Sequence, residues 1–180
     1  MDVILYSLLF LIIIIGVIAI VYVYNYNLLQ HSKTKISQAE CLIDEALRYR
    51  YDILLRADTF LKKELKKSLF SDIDKLKDQN ISNFDLDRKL MEYVNLLKDV
   101  KFDNPEFSED KNFKQIFIDD KKALEKLQAA KSFYNKYTSE QNDLVRSFPS
   151  NIVARMHRID IKPFFDGKNM EDTIVDDFKL

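Results

Sequence analysis

Apolar residues follow two rules along this chain. At the N-terminus they are nearly continuous; beyond it they recur at spacings of three and four. The run Val3–Tyr24, VILYSLLFLIIIIGVIAIVYVY, holds 22 residues without a charge. As a helix it would be about 33 Å long, enough to cross a hydrocarbon core of about 30 Å. Tyr22, Tyr24 and Tyr26 gather at its C-terminal end, where a membrane–water interface suits an apolar ring with a wet hydroxyl. The competing reading is a cleaved signal peptide. That would need a positive n-region and a small-residue cleavage site, and the run has neither. The pattern predicts one transmembrane helix over residues 3–24.

From Asn25 to about Phe70 there is no glycine or proline. Ile36, Ala39, Ile43, Ala46, Arg50, Ile53, Ala57 and Phe60 alternate spacings of three and four, the stripe of a helix packed on other helices. No linker composition separates this helix from the apolar run. Ser71–Ser82, SDIDKLKDQNIS, reads as a connection. Ser82 and Asp85 have capping-box spacing. A second helix then runs to about Phe102, with Leu86, Leu90, Tyr93, Val94, Leu97 and Val100 inward. Asn104-Pro105 ends it, because the residue before proline is pushed out of the helical region. A third long helix starts near Ser108 and carries Phe113, Phe117, Asp120, Leu124, Leu127, Lys131, Tyr134, Thr138, Gln141, Val145 and Phe148 inward. Pro149 stops it, and Ser150 is expected to cap a short helix from Asn151 to about His157. Ile161–Gly167 leaves helical structure, with Phe164 and Phe165 packing back on the bundle. The expected organisation is a transmembrane helix (3–24), an antiparallel bundle of long helices (25–167) and an acidic tail (168–180). The fold class is all-α, with coiled-coil-like packing.

Three stripe positions, Asp120, Lys131 and Gln141, are polar. They either snorkel to water from the edge of the stripe or form a polar layer in which Arg50 meets Asp120. Such a layer needs its partners to meet, because an unpaired buried charge is costly. A ligand site near Arg50, Asp120, Tyr134 and Gln141 is the third possibility.

Composition narrows the chemistry. Lys+Arg number 28 against 29 Asp+Glu, so nothing suggests the clustered basic footprint that nucleic acid requires. One cysteine, Cys41, forms no intrachain disulfide, and two histidines make no metal cluster. Two glycines in 180 residues leave no phosphate-cradling loop. A nucleophile would need Cys41 or a serine beside His31 or His157, and the two histidines lie far apart in sequence. No enzyme, metal or cofactor is expected.

Several segments together resemble the LemA family. They are YNLLQ at Tyr26–Gln30, AECLIDEALRYRYDILLRA at Ala39–Ala57, NPEFSEDKNF at Asn104–Phe113, FYNKYTSEQNDLVRSFPSNIVARM at Phe133–Met156, and KPFFD at Lys162–Asp166. Tyr134-Asn135 followed by Ser147-Phe148-Pro149 is the most specific pair. The resemblance implies a bacterial membrane protein whose soluble part is a bundle of long antiparallel helices. It implies structural roles for Tyr134, Asn135, Phe148, Pro149, Phe164 and Phe165, and it brings no catalytic site. The chain departs from the family pattern at Leu54, where proline is usual. Near Asp120 and Leu124 the usual apolar and polar residues are exchanged.

The expected function is that of a membrane-anchored helical scaffold or interaction protein. Its partners would be the lipid bilayer and another membrane or envelope protein. The same stripes could also pair one copy with another. The alternative is a sensor or small-ligand-binding bundle. Lys33 and Lys35 follow the apolar run and only Asp2 precedes it. The positive-inside rule therefore places the soluble part in the cytoplasm and the N-terminus outside.

Overall fold

The computed structural model describes residues 2–66, 68–70, 72–76 and 81–165. Ser71, Asp166, Gly167 and the acidic tail 168–180 lie outside the described residues. The elements, in order, are α1 (Asp2–Leu65), α2 (Ile73–Leu76), α3 (Asn83–Asp103), a 3-10 turn (Pro105–Glu109), α4 (Lys111–Arg146) and α5 (Ser150–Met156). No strand occurs among the described residues. The chain forms two compact units, residues 1–38 with 134–180, and residues 39–133. Helices α1 and α4 each contribute to both.

Helix α1 is unbroken from the apolar run to Leu65. Every side chain from Val3 to Val21 is exposed, and packing on other described residues begins at Tyr22. The helix is long and apolar enough there to cross a membrane. Beyond the run, Asn25, Leu29, Ser32, Ile36, Ala39, Ile43, Ala46, Arg50, Ile53 and Ala57 are buried, the spacing of a heptad seam. Leu54, where the resembled pattern has proline, is fully buried. The helix stops at Leu65, short of Phe70, because Lys66 adopts the left-handed conformation (φ 52°) that commonly closes helices.

In the second unit the chain then turns back. Buried Asp58 accepts from Ser68 Oγ (3.1 Å) and pairs with Lys62 (2.6 Å). Phe70 packs edge-on against Tyr93, while Ile73 and Leu76 of α2 are buried. The expected polar connection thus holds a short helix with an apolar face. Ser82 caps α3 by accepting from Asp85 N–H (3.1 Å). Asp85 completes only half of a capping box, since its carboxylate accepts from the Ser82 hydroxyl (2.6 Å). Helix α4 starts at Lys111, three residues past the expected Ser108, and Asp110 caps it: its Oδ1 accepts from the N–H groups of Asn112 (2.7 Å) and Phe113 (3.0 Å).

Contacts fix the helix directions in this unit. Asp87, near the start of α3, meets Arg50, and Phe107, just past its end, rests on Phe60. Helix α3 therefore runs the same way as α1. Asp87 also meets Lys131 and Lys101 lies over the Phe117 ring, so α4 is antiparallel to α3. Arg50–Asp120 and Phe60–Phe113 make it antiparallel to α1 as well. Phe60, Phe107, Phe113 and Phe117 close one end of the unit. On α4 the inward row is Phe113, Ile116, Asp120, Ala123, Leu127 and Ala130. Phe117, Leu124 and Lys131, expected inside, are only half-buried on its flank. Small Ala123 and Ala130 take the inward positions, and the bulkier row is left on the flank.

In the first unit His31 meets Tyr137, and Leu144 and Val145 pack with Tyr22, Tyr26 and Leu29, so α4 is antiparallel to α1 here too. After Arg146 the chain turns through a cis Phe148-Pro149 bond. Two expectations fail at this corner. Phe148 is 80% exposed, because it lies in the turn and no longer follows the helical phase that half-buries Val145. Ser150 is the first residue of α5 and not its cap. Its hydroxyl points backwards, its single proton shared between the carbonyls of Leu144 (2.6 Å) and Ser147 (2.9 Å) at the end of α4. Helix α5 closes in a Schellman motif: Ile159 N–H bonds Ala154 O and Arg158 N–H bonds Arg155 O, with Arg158 left-handed (φ 52°).

Candidate functional site

Three features stand out: a charged layer and an open groove in the second unit, and a backbone clasp in the first. The layer centres on Arg50, whose side chain is fully buried. Its Nε donates to Asp120 Oδ1 (3.1 Å) and its Nη1 to Asp87 Oδ1 (3.2 Å). Half-buried Lys131 bridges to the second oxygen of Asp87. Two cations thus face two carboxylates contributed by α1, α3 and α4. Burial without pairing would be costly for each of them. Arg50 Nη2 is buried without a hydrogen-bond partner among the described residues.

Next to the layer, Asp119 accepts from Gln115 (2.7 Å) and Arg56 (2.9 Å). The Gln115 hydrogen bond holds its carboxyl below the usual range, helped by the Arg56 hydrogen bond and charge and by Lys122, against an opposing effect of burial.

The four expected layer residues separate. Arg50 and Asp120 meet. Tyr134 and Gln141 belong to the first unit and bond elsewhere. Asp87 was missed, although 87, 90, 94 and 97 continue the α3 stripe one step back from buried Leu90, Val94 and Leu97. Leu86, the apolar neighbour expected inward, is only half-buried.

In the first unit, polar side chains on one face of α4 hold the segment after α5 by its main chain. Asn142 Nδ2 donates to Lys162 O (2.8 Å), and Lys162 N–H donates to Asn142 Oδ1 (2.9 Å). Gln141 donates to Asp160 O (3.3 Å), Tyr134 to Pro163 O (3.1 Å), and Asn135 Oδ1 accepts from Phe165 N–H (2.8 Å). The Tyr134 ring also meets Phe165 edge-on, and Phe164 and Phe165 are both half-buried. The doublets Tyr134-Asn135 and Gln141-Asn142 lie seven residues apart, two helical turns, which puts them on one face. That spacing was the available signal for Asn142. Thr138 Oγ1 and Gln141 Oε1 on the same face are buried without partners among the described residues.

The groove, about 780 Å³ and open to solvent, runs between α1 and α4 in the second unit. Its apolar lining is Leu42, Ala46, Tyr49, Ala129, Ala130 and Phe133. Leu42 and Tyr49 are 48% and 42% exposed. Glu45, Arg48, Asp52 and Lys126 rim it. Each helix contributes residues at spacings of three and four, so the groove has the periodicity of a missing helix. Cys41, nearby in sequence, is a free exposed thiol.

Comparison with known protein families matches the model described as the LemA family over residues 43–176. That is well over half of the chain, and it begins after the apolar run. No curated protein and no solved structure matches.

Two predictions follow from these contacts. Arg50→Met alone should destabilise the protein by about 3–5 kcal/mol in urea unfolding, because two carboxylates lose their partner. Adding Asp120→Leu should recover part of that loss; strictly additive destabilisation would mean that the pair is not coupled. Asn142→Ala should speed amide exchange at Lys162 and lower stability by about 1–3 kcal/mol. Asn135→Ala should do the same for the Phe165 amide. Unchanged exchange at both amides would show that the clasp does not hold the segment in solution.

Proposed function

The chain belongs to the LemA family, and from that premise we propose that it is a membrane-anchored interaction protein of the bacterial cell membrane. The apolar run of α1 is its single-pass anchor. The second unit presents the binding face, and catalysis forms no part of the reading. The observation that supports it is the groove lined by Leu42, Ala46, Tyr49, Ala129, Ala130 and Phe133. Its two rows have helical periodicity and its floor is alanine, a surface that accepts an amphipathic helix by its apolar face. Glu45 and Asp52 on one wall, and Arg48 and Lys126 at the rim, favour a partner helix with both signs of charge beside its apolar stripe. The partner is read as a helical segment of another membrane or envelope protein. Lys33 and Lys35 after the run, against Asp2 before it, support a cytoplasmic bundle by the positive-inside rule.

A photo-crosslinking residue at Tyr49 in intact cells should give a discrete adduct with a membrane protein. The same probe at Arg88, exposed on α3, should not. Ala129→Lys should abolish the Tyr49 adduct without changing the helical content. Equal adducts at both positions, or an adduct indifferent to Ala129→Lys, would sink the groove reading. Orientation is checked separately. With Cys41→Ala and a cysteine replacing Lys179, an impermeant thiol reagent should leave the tail unlabelled, while a cysteine replacing Asp2 should react. The opposite pattern would put the bundle outside.

A further inference from the structure

The corner of the first unit beside the end of the apolar run is itself apolar and basic. Tyr22 and His157 are joined by a 2.7 Å hydrogen bond, and the rings of Tyr26 and His157 lie 4.7 Å apart. The turn after α5 therefore sits against the final turn of the run 3–24. The corner at Phe148 is close by, since Val145, three residues earlier, packs in the same cluster as Tyr22 and Tyr26.

Helix α5 turns Val153 and Ala154 onto Leu29. At 100° per residue, the opposite face then carries Ile152 and Met156, which are 53% and 65% exposed. With Phe148 they make three large exposed apolar side chains beside the end of the apolar run. Grouped exposure of this kind marks a surface that is covered by something apolar. Charge narrows what covers it. Between Ser147 and Ile159 the charged side chains are Arg155 and Arg158, both exposed, and there is no acid; Asp143 and Asp160 are the nearest.

We propose that Phe148, Ile152, Met156, Arg155 and Arg158 form a second membrane contact, seated in the headgroup layer of an anionic phospholipid bilayer where α1 emerges. The proposal rests on reading the apolar run as a membrane anchor. The three apolar side chains reach the acyl boundary, as in interfacial helices, and the guanidinium groups meet lipid phosphates. One emerging helix is a single attachment about which the unit can tilt. A second attachment beside it fixes the tilt and rotation of this unit on the membrane. The Tyr22–His157 bond joins the two attachments.

The chain has no tryptophan, so an introduced one reports alone. Phe148→Trp, Ile152→Trp, Ile118→Trp and Ile12→Trp would each be made in the full chain and placed in nanodiscs with bromines on the lipid acyl chains. The nanodiscs would be phosphatidylcholine alone or mixed with phosphatidylglycerol. Probes at 148 and 152 should shift to the blue and be quenched, more so with phosphatidylglycerol, whereas the probe at 118 should not. Arg155→Gln with Arg158→Asn should remove the gain from phosphatidylglycerol. Quenching at 12 with none at 148 or 152 beyond the level at 118 would overturn the second contact and leave the anchor standing. Quenching at 148 and 152 with none at 12 would support the contact and overturn the spanning anchor. Absence of quenching at all four positions would overturn both. Quenching indifferent to phosphatidylglycerol would overturn the anionic part of the assignment.

Discussion

A fully buried guanidinium must find anions, and in the second unit that requirement sets how three helices meet. Arg50 has Asp120 of α4 on one side and Asp87 of α3 on the other. Apolar stripes alone tolerate sliding by a heptad, because one Ile or Leu replaces another in the seam. Here a slip of seven residues would bring Ile43 or Ala57 opposite Asp120 and leave charges buried and unpaired. That cost is several kcal/mol, larger than the penalty of an imperfect apolar fit. The layer therefore acts as a register pin, the use of buried polar groups best attested in helical assemblies. Lys131 adds the fourth charge and makes the layer neutral.

The first unit answers a different demand with the same helix. Residues 159–165 have no regular structure, yet their main-chain groups lie against α4 and need partners. Asn142 supplies both a donor and an acceptor to Lys162, as a neighbouring strand would. Tyr134, Asn135 and Gln141 extend the pairing. This explains why α4 is poor in strongly apolar residues between Tyr134 and Leu144: that face reads peptide groups. Tyr134 combines both roles, with its ring on Phe165 and its hydroxyl on Pro163.

Much of the helical framework was legible residue by residue. The uncharged run before Tyr24, the scarcity of glycine and the three–four spacing from Ile36 to Ala57 each follow from local rules, and so does the break at Asn104-Pro105. Misreadings arose where two rows compete. On α4 the row through Phe117, Leu124 and Lys131 is as periodic as the row through Ile116, Ala123 and Ala130. Hydrophobicity favoured the bulkier row, whereas close packing selected the alanines. At Phe148 the period was extended past the end of the helix that sustains it. Asp87 was overlooked because a carboxylate in a stripe reads as surface until a buried cation is known to face it.

Taken alone, the sequence determined the helices, the uncharged N-terminal run and, through segments spread along its length, the family. These depend on backbone geometry and on side-chain chemistry repeated at helical spacing, both local properties. Only the tertiary structure decided that α3 runs parallel to α1, that Asp87 joins Asp120 at Arg50, and that Asn142 grips Lys162. Each of those pairs joins residues at least 20 positions apart. Periodicity says which face of a helix turns inward to within about one residue, or about 100°. It does not say which helix arrives there or in which direction. That is settled by where the return segment after Leu65 packs, and by which charges can be buried only together.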